Sequence, residues 1–489
     1  MKYASPEKMG IKSSDIKKYI EVLEKSNLST HNLIIMRREH IIFEKYWKPF
    51  NKDFLHRMYS VTKSFVALAI GFCEQDGLLN LDDPISKYFS GELKNQTDEN
   101  MKNQTIRHML MMATAKPDWG WFGARPTDRV QHYFDNNLDI TRPSGTTFSY
   151  DSSGSFVLGA LVEKLTGKEL LEYMREKFLD KIGFSKEAYM LKCPGGYSWG
   201  DSGLLCKPTD LIKTAMFCMN KGKWNGEQLL NEKFMTSATT KQIDNDESGL
   251  KQYDGQGYGY LIWMSYGKSF FFNGMGCQIA LCVPEKDIIM VYNGDNQGNP
   301  LAKSIIMDNF FDIIVKGADE LIADDEASQN ELEGYAESLE LYSVKGDTHK
   351  EIENRINGVT YLTDKNAMGI SKVKFIFNGD RGRLCYTNEQ GDKELLFGMC
   401  RNEFGKFPQE GYSDKIGSQK GTGLYDCAVS AAWVSDYQFF IKVQAIDTYF
   451  GILNINVGFS DSGEIGISMN KTAEDFFNEY QGFVGGREE

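Results

Sequence analysis

The sequence predicts an α+β protein in which helices flank an antiparallel sheet, a helical region is inserted between its strands, and a second, mostly β domain follows. Three observations predict this. Apolar strand patterns occur near the N-terminus and again around residues 257–295, helical patterns lie between them, and residues 345–489 alternate short apolar runs with Gly- and Asn-containing turns. Strands that enclose a block of helices are typical of one antiparallel sheet with helices packed on it.

The elements of the first domain can be predicted in chain order. "LIIMRREHIIFEKYW" (33–47) has two apolar runs around a charged turn, which is a hairpin signature. The segment 60–76 is a predicted helix that begins near Ser60 and ends at Gly77. Further helices are predicted at 105–115, at 156–178 with a break near Gly167, and at 208–224 after a Pro-Thr-Asp cap. Residues 257–295 then predict three antiparallel strands, and 301–318 an amphipathic helix.

Chain length, an acidic stretch and a change from helical to strand patterns predict the domain boundaries. A chain of 489 residues is too long for one ordinary core. Residues 319–340 carry nine acidic residues and no basic one, which indicates a solvated helix or linker. We therefore expect a first domain over 1–317, an acidic linker over 318–344 and a β-rich domain over 345–489, for which a barrel is the candidate architecture.

Composition excludes several classes of function. The formal net charge of -13 disfavours nucleic acid and anionic membrane surfaces as partners. The first twenty residues lack the apolar core of a secretory signal, and no apolar run is long enough to span a bilayer. Nine cysteines without a Cys-x-x-Cys pair fit reduced thiols in a cytoplasm. The six histidines show no metal-ligand spacing, so neither a structural nor a catalytic zinc site is predicted.

The segment "RMYSVTKSFVALAIGF" (57–72) carries the first candidate for chemistry. Ser-x-x-Lys occurs seven times in the chain, so the motif alone identifies nothing. Helical spacing, however, places Ser60 and Lys63 on one face. A serine hydroxyl needs a base beside it, and burial under the apolar residues that follow would favour a neutral lysine amine. The alternative is a surface lysine that follows an N-cap serine.

Two later segments could complete such a site. "PSGTTFSYDSSGSFVLGALVEKLTG" (143–167) places Tyr150 on a loop before a buried helix, where a phenol can accept or relay a proton. "FFFNGMGCQIALCVPEKDIIMVYNG" (270–294) has Gly274 and Gly276 inside a strand pattern, as where a ligand approaches the backbone. The alternatives are a packing tyrosine and a β-bulge.

"SVTK", "YDS" and "FNGMGCQ", in this order and at these separations, resemble the three motifs of the serine β-lactamase and penicillin-binding protein superfamily. The chain is most similar to the class C β-lactamase-like branch, which includes esterases, D-aminopeptidases and 6-aminohexanoate-dimer hydrolases. "GLLNLDDPISKYF", "TIRHMLMMATA" and "GDSGLLCKPTDLIKTAMFCMNKGKWNGEQLL" also resemble segments of that branch. The resemblance covers roughly residues 1–317 and implies a β-lactamase/transpeptidase-like fold.

The resemblance also implies roles for individual residues. Ser60 would be the acylated nucleophile, Lys63 its activator and Tyr150 the residue that passes the proton to the leaving group. Ser152, at a position where the family often has Asn or Ser, would bond Lys63 or the substrate. The backbone N–H groups of Ser60 and Met275 would form the oxyanion hole, in which one donor is typically worth about 10²–10³ in rate.

The chain departs from the family at the third motif. Phe272, Asn273 and Gly274 stand where many relatives have Lys-Thr-Gly or His-x-Gly, whose cation grips a substrate carboxylate. We expect Asn273 and Gly274 to border the substrate. The missing cation favours a neutral ester or amide over a penicillin or a peptidoglycan stem. Arg125 or Arg142 could replace it, although nothing in the sequence places either one.

Two aromatic-rich loops are candidate walls of the substrate pocket. "KPDWGWFGARP" (116–126) and "GGYSWGDSG" (195–203) correspond to loops that border the cleft in the family. The residues predicted to line the pocket are Trp119, Trp121, Phe122, Tyr197 and Trp199. The alternative is that these rings cover the edges of the core.

These observations predict a cytoplasmic serine hydrolase that cleaves a small ester or amide through an acyl-enzyme on Ser60, without a metal or organic cofactor. The partner expected is a small-molecule substrate, and a homo-oligomer stays open. A β-lactamase, D,D-peptidase or D-aminopeptidase could use the same residues. A Ser-His-Asp hydrolase is a further alternative, but no Gly-x-Ser-x-Gly elbow with a downstream triad is evident. The last alternative is a ligand-binding or sensing module without catalysis.

Overall fold

The computed structural model describes residues 1–94, 98–117, 120–123, 126–135, 141–246, 252–320, 322–410, 424–474 and 477–489. The described chain forms two compact units. The first, the hydrolase-like unit, comprises residues up to 296 and 300–340. The second, the barrel unit, comprises residues 297–299 and the described residues from 341 onward. Among the described helices, none has both the length and the apolar character that crossing a membrane requires.

The hydrolase-like unit contains both β-strands and α-helices, and many of them are short. Its strands are β1 (Lys2–Tyr3), β2 (Thr30–Arg37), β3 (His40–Tyr46), β4 (His56–Arg57), β5 (Tyr189–Met190), β6 (Leu204–Cys206), β7 (Lys223–Trp224), β8 (Glu227–Gln228), β9 (Trp263–Met264), β10 (Phe270–Gly274), β11 (Gln278–Val283) and β12 (Ile288–Gly294). Its α-helices are α1 (Ser13–Lys25), α2 (Thr62–Gln75), α3 (Glu99–Asn103), α4 (Ile106–Leu110), α5 (Arg129–Asp135), α6 (Ser152–Thr166), α7 (Leu170–Met174), α8 (Pro208–Met219), α9 (Glu232–Ala238), α10 (Ala302–Asn309) and α11 (Glu326–Glu337).

The main sheet joins the two ends of this unit. Its order is β1-β3-β2-β12-β11-β10-β9, and each pair is antiparallel except the parallel pair β1–β3. The β2–β12 pairing brings Ile35 opposite Met290, so a strand from the start of the chain lies beside one that comes after the helical region. Helices fill the chain between them, which confirms the predicted α+β class.

Alternation along the strands sorts apolar residues onto two faces of the sheet. One face, which includes Leu33, Ile279 and Met290, forms a core with α1 and α10. Tyr19 of α1 also donates a hydrogen bond from its hydroxyl to the Ile306 carbonyl of α10 (3.0 Å). On the other face α8 packs against β2, β11 and β12. The sheet is therefore covered by helices on both sides, and β10 packs against the 3₁₀ turn Tyr59–Val61 that precedes α2.

Several segments differ in extent from the sequence prediction. The helix predicted at 208–224 is α8, which ends at Met219, and Lys223–Trp224 form β7 instead. The helix predicted at 105–115 is α4 alone, which ends at Leu110 because Met112 takes a left-handed conformation (φ 56°). The acidic segment 319–340, predicted as a solvated helix or a linker, contains the helix α11, but Leu332 and Ala336 of this helix are buried in the core beside α1. The acidic side chains mask this apolar stripe because they occupy the remaining, solvated face of the helix.

The barrel unit is built from antiparallel hairpins around one closing parallel pair. It contains α12 (Glu353–Ile356), β13 (Thr360–Thr363), β14 (Lys372–Asn378), β15 (Arg381–Asn388), β16 (Gly391–Met399), β17 (Glu403–Glu410), β18 (Leu424–Trp433), β19 (Gln438–Ile446), β20 (Phe450–Phe459), β21 (Glu464–Ala473) and β22 (Gly482–Glu488). Within the described residues the order is β16-β15-β14-β13-β22-β21-β20-β19-β18-β17, and a parallel β16–β18 pairing closes a nine-stranded barrel with β17 outside the ring. The predicted barrel is confirmed.

Aromatic side chains fill the interior of the barrel. Phe375, Phe377 and Phe439 are buried and contact one another with ring centroids 5.4–6.1 Å apart. Trp433 packs against Phe439 at 4.9 Å and donates its indole N–H to Glu353. Such interlocked rings make this part of the interior a packed core.

A buried histidine in the hydrolase-like unit should make the stability of the fold sensitive to acid. His56 is packed against the rings of Phe50 and Phe54, and its burial lowers its pKa from 6.5 to about 3. The folded protein thus keeps His56 neutral, whereas the unfolded chain takes up a proton near pH 6.5. The associated stability is present above pH 6.5 and is lost as the pH falls from there towards 3, by about 2 kcal/mol at pH 5.

We therefore expect His56→Phe to lose less stability than the wild type between about pH 7.5 and pH 5, by about 2 kcal/mol. Urea titration followed by tryptophan fluorescence measures the free energy of unfolding. Among the tryptophans that the structure describes, all except Trp433 belong to the hydrolase-like unit, so the signal reports mainly on that unit. Equal losses for the two proteins would contradict this assignment.

Candidate active site

Ser60 lies where a short 3₁₀ turn (Tyr59–Val61) runs into α2. The segment before it is held firmly, because Met58 donates its N–H to the Leu204 carbonyl of β6 (2.8 Å). Tyr59 has a left-handed backbone (φ 46°), which is unfavourable for a tyrosine and persists only where the surroundings enforce it. The buried Arg57 guanidinium lies over the Tyr59 ring at 4.4 Å and contributes to that enforcement.

Lys63 reaches Ser60 one helical turn later. Its Nζ lies 2.9 Å from Ser60 Oγ and also donates to the Asp201 carbonyl oxygen at 2.7 Å. The side chain of Lys63 is almost fully buried, with 1% of its surface exposed, whereas Ser60 is half-buried. The predicted helical contact between the two residues is therefore present. Its second hydrogen bond fixes the amine beside the hydroxyl, the arrangement that a lysine base requires.

Asp201 provides a buried carboxylate beside this pair. Burial raises the pKa of its carboxyl group, while the charges of Lys63 and Arg129 and a hydrogen bond from Trp121 Nε1 to Oδ2 (3.2 Å) act in the opposite direction. Arg129 in turn lies over the Trp121 ring at 3.9 Å. Asp201, Trp121 and Arg129 are thus a set of buried, interacting groups, which Lys63 joins through its bond to the Asp201 carbonyl.

Tyr150 is the third residue of the candidate site and lies beside Lys63. Its ring centroid is 5.1 Å from Lys63 Nζ, so the phenol and the amine, which come from distant segments, are neighbours. The next residue, Asp151, caps α6 by accepting a hydrogen bond from the Gly154 N–H (3.2 Å), and its other carboxylate oxygen accepts from the Thr114 hydroxyl (2.7 Å). These bonds to a buried carboxylate fix the loop that carries Tyr150.

The sequence prediction missed two aromatic residues, Trp263, which contacts Tyr150, and Phe148, which contacts Trp263. Trp263 of β9 stacks on the Tyr150 ring with centroids 5.7 Å apart, and Phe148 contacts Trp263 at 5.9 Å. Both are half-buried. No local pattern distinguishes them, since Trp263 reaches the site through the pairing of β9 with β10.

The third motif forms the end of β10 and the turn after it. Gly274 has to be glycine, because a Cβ at this position would lie 2.4 Å from the Met58 carbonyl oxygen. The strand therefore meets the backbone just before Ser60. Met275 follows with 38% of its surface exposed. The role of its N–H and of the Ser60 N–H as an oxyanion hole stays a prediction.

The other predicted substrate residues are distributed differently. Trp121 and Trp199 are buried, with 1% and 0% of their surfaces exposed, and cannot contact a substrate in this conformation. Trp199 instead lies under the Arg57 guanidinium at 4.5 Å, as Trp121 does under Arg129. For these two rings the alternative, coverage of the core, is the one observed.

The remaining predicted substrate residues differ in their exposure to solvent. Phe122 is exposed, Asn273 and Tyr197 are half-buried, and Ser152 is buried at the first turn of α6. Arg142 is committed to the Thr114 carbonyl through its Nε (3.3 Å). Trp119 and Arg125 lie outside the described residues.

The comparisons with known proteins agree with this geometry. The family model described as Beta-lactamase matches residues 17–303, which is more than half of the chain. A 6-aminohexanoate-dimer hydrolase of Paenarthrobacter ureafaciens is 20% identical over 266 residues, covering 50% of this chain and 67% of that protein. Esterase EstB of Burkholderia gladioli is 28% identical over 159 residues, covering 29% of this chain and 41% of the esterase.

A solved structure extends the likeness of fold to both units. The octameric penicillin-binding protein homologue from Pyrococcus abyssi superimposes with a TM-score of 0.51 and 16% identity, over 97% of this chain and 99% of that one. The chain belongs to the beta-lactamase family, and its fold is that of the serine β-lactamase/transpeptidase superfamily. The family and the names of these relatives point to hydrolase activity.

Proposed function

We propose that the protein is a serine hydrolase that cleaves a small, neutral ester or amide through an acyl-enzyme on Ser60. The observation that carries the proposal is the contact of Lys63 Nζ with Ser60 Oγ at 2.9 Å, beside the ring of Tyr150. An alcohol, a buried amine and a phenol at one point provide a nucleophile, a base and a proton relay. A site that only binds a ligand would not need all three.

In the proposed reaction Ser60 Oγ attacks the substrate carbonyl carbon as its proton passes to Lys63. The negative charge that develops on the carbonyl oxygen is held by the N–H groups of Ser60 and Met275. Tyr150 then delivers a proton to the leaving alcohol or amine, and the carbon–leaving-group bond breaks to give the acyl-enzyme. Water attacks this ester by the reverse proton route, which releases the acid and restores the Ser60 hydroxyl.

The third motif supports a neutral substrate. Phe272 is buried, and Asn273 carries no charge where many relatives have a cation. The motif thus offers no cation that would pair with a substrate carboxylate, which favours a neutral ester or amide. This fits the cytoplasmic location predicted from the sequence, and the homo-oligomer left open there stays a prediction.

Covalent labelling tests the proposal. We expect a fluorophosphonate probe to add to the intact protein once, and peptide mapping to place the adduct on Ser60. Ser265, in the motif Ser265-x-x-Lys268, is an internal control: it is buried and should carry no label. Hydrolysis of short p-nitrophenyl esters should accompany labelling, whereas faster turnover of nitrocefin would favour a β-lactamase. Absence of both adduct and turnover would favour the ligand-binding alternative.

A further inference from the structure

The turn between β10 and β11 has an unusual backbone for its sequence. Met275, Gly276 and Cys277 connect the strands, and Cys277 donates its N–H to the Gly274 carbonyl (3.2 Å). Gly276 and Cys277 both take the left-handed conformation, with φ of 74° and 73°. This is ordinary for glycine but unfavourable for cysteine, so contacts from outside the turn have to hold it in place.

The side chain of Gln278, at the start of β11, supplies such contacts. It is fully buried, and its Nε2 donates both to the Met275 carbonyl (3.1 Å) and to the Gly294 carbonyl (2.7 Å). Its Oε1 accepts a hydrogen bond from Asn293 Nδ2 (2.9 Å). The partners also fix the orientation of the carboxamide, because a flipped amide would place its oxygen against two carbonyl oxygens.

Asn293 extends this contact to the segment that carries Ser60. It is fully buried in β12, and its Nδ2 lies 4.0 Å from Met58 Sδ. Met58 is also the residue whose carbonyl the β10 backbone approaches at Gly274. The pair Gln278–Asn293 therefore contacts both segments on which the two candidate oxyanion donors lie.

We propose that Gln278 is a positioning residue of the reaction: its buried carboxamide holds the turn that presents the Met275 N–H and, with Asn293, ties that turn to the segment before Ser60. The inference rests on the proposed function, and Gln278 itself touches no reacting atom. Donors aimed at developing charge act only while their position is fixed before the reaction. Loss of the carboxamide should therefore destabilise the transition state more than it destabilises the enzyme–substrate complex. We expect it to lower kcat more than it changes KM.

The test compares p-nitrophenyl benzoate with its thiono analogue, whose carbonyl sulfur accepts hydrogen bonds poorly. In Gln278→Met we expect kcat for the oxygen ester to fall about 10²-fold with KM within about threefold, and the rate on the thionoester to fall by less than about fivefold. A loss of general structure would lower both rates alike. The matched control is Gln104→Met, which removes another buried glutamine that donates to the Tyr133 hydroxyl (3.0 Å) and should leave the ratio of the two rates unchanged.

The outcomes separate this inference from the proposed function. Equal losses on the two esters, or full retention of the oxygen-ester rate, would overturn the role of Gln278 while labelling of Ser60 stands. No labelling of Ser60 in the wild type would overturn both. If Gln278→Met does not fold, Gln278→Asn provides the same comparison, because the shorter amide keeps its polarity but cannot reach both carbonyl groups.

Discussion

Ser60→Ala should lose hydrolysis of short p-nitrophenyl esters by at least about 10³-fold and form no fluorophosphonate adduct. The Ser60 hydroxyl is in contact with Lys63 Nζ, which itself lies beside the Tyr150 ring, so its removal takes away the proposed bond-forming atom but leaves the binding surface. We therefore expect KM, or the affinity for a product-like acid, to change little. Steady-state kinetics and intact mass measure the two effects.

Ser64→Ala is the matched control for this substitution. Ser64 lies in the same helix, is buried and donates to the Leu261 carbonyl (2.9 Å), so its loss removes a hydroxyl and a hydrogen bond away from the proposed chemistry. It should stay within a few-fold of the wild type. Comparable losses in the two variants, or an adduct that persists in Ser60→Ala, would show that another residue is the nucleophile.

Lys63→Met should lower kcat/KM by about 10³-fold while the protein stays folded. Methionine has a similar length and fills the buried space, but it cannot take the proton from Ser60 or donate to the Asp201 carbonyl, which accepts from Lys63 at 2.7 Å. The fluorophosphonate should still react with Ser60, only more slowly, since the hydroxyl remains. The rate of labelling and the ester kinetics should fall together.

Lys268→Met serves as the control, because Lys268 completes a second Ser-x-x-Lys motif but is exposed. We expect wild-type kinetics from it. If Lys63→Met retained the wild-type rate, Tyr150 or another group would have to be the base. If neither the wild type nor Lys63→Met turned over any ester, the site would be better described as a ligand-binding site.

Features that depend on short-range pattern were predictable from the sequence. The hairpin of β2 and β3, the helix that starts beside Ser60 and the contact of Lys63 with Ser60 all follow from strand and helix periodicity. The loop position of Tyr150 follows from the polar run before α6. The closeness of Tyr150 to Lys63 was expected from resemblance to a family, because no local rule brings two segments together across nearly ninety positions of the sequence.

Features that depend on tertiary contacts were not predictable. The sequence predicted Trp121 and Trp199 to line the pocket from loops. In the structure each ring packs against a buried guanidinium and is itself buried. The sequence predicted only a strand for the segment that contains Trp263, but the strand order places its ring beside Tyr150. Aromatic composition identifies a residue that will be shielded from water and does not tell which neighbour shields it.

The way the β-barrel closes has a consequence for the order in which the chain can fold during synthesis. The ladder of β13 is completed by β22, which pairs Leu362 with Arg487, more than a hundred residues later. Sheet pairings at such separation form late, because the intervening loop has to be ordered first. The main sheet of the hydrolase-like unit is complete once Gly294 is available, whereas the second unit needs its final strand to leave the ribosome. The hydrolase-like unit can therefore complete its main sheet while the barrel unit is still an open sheet that lacks β22.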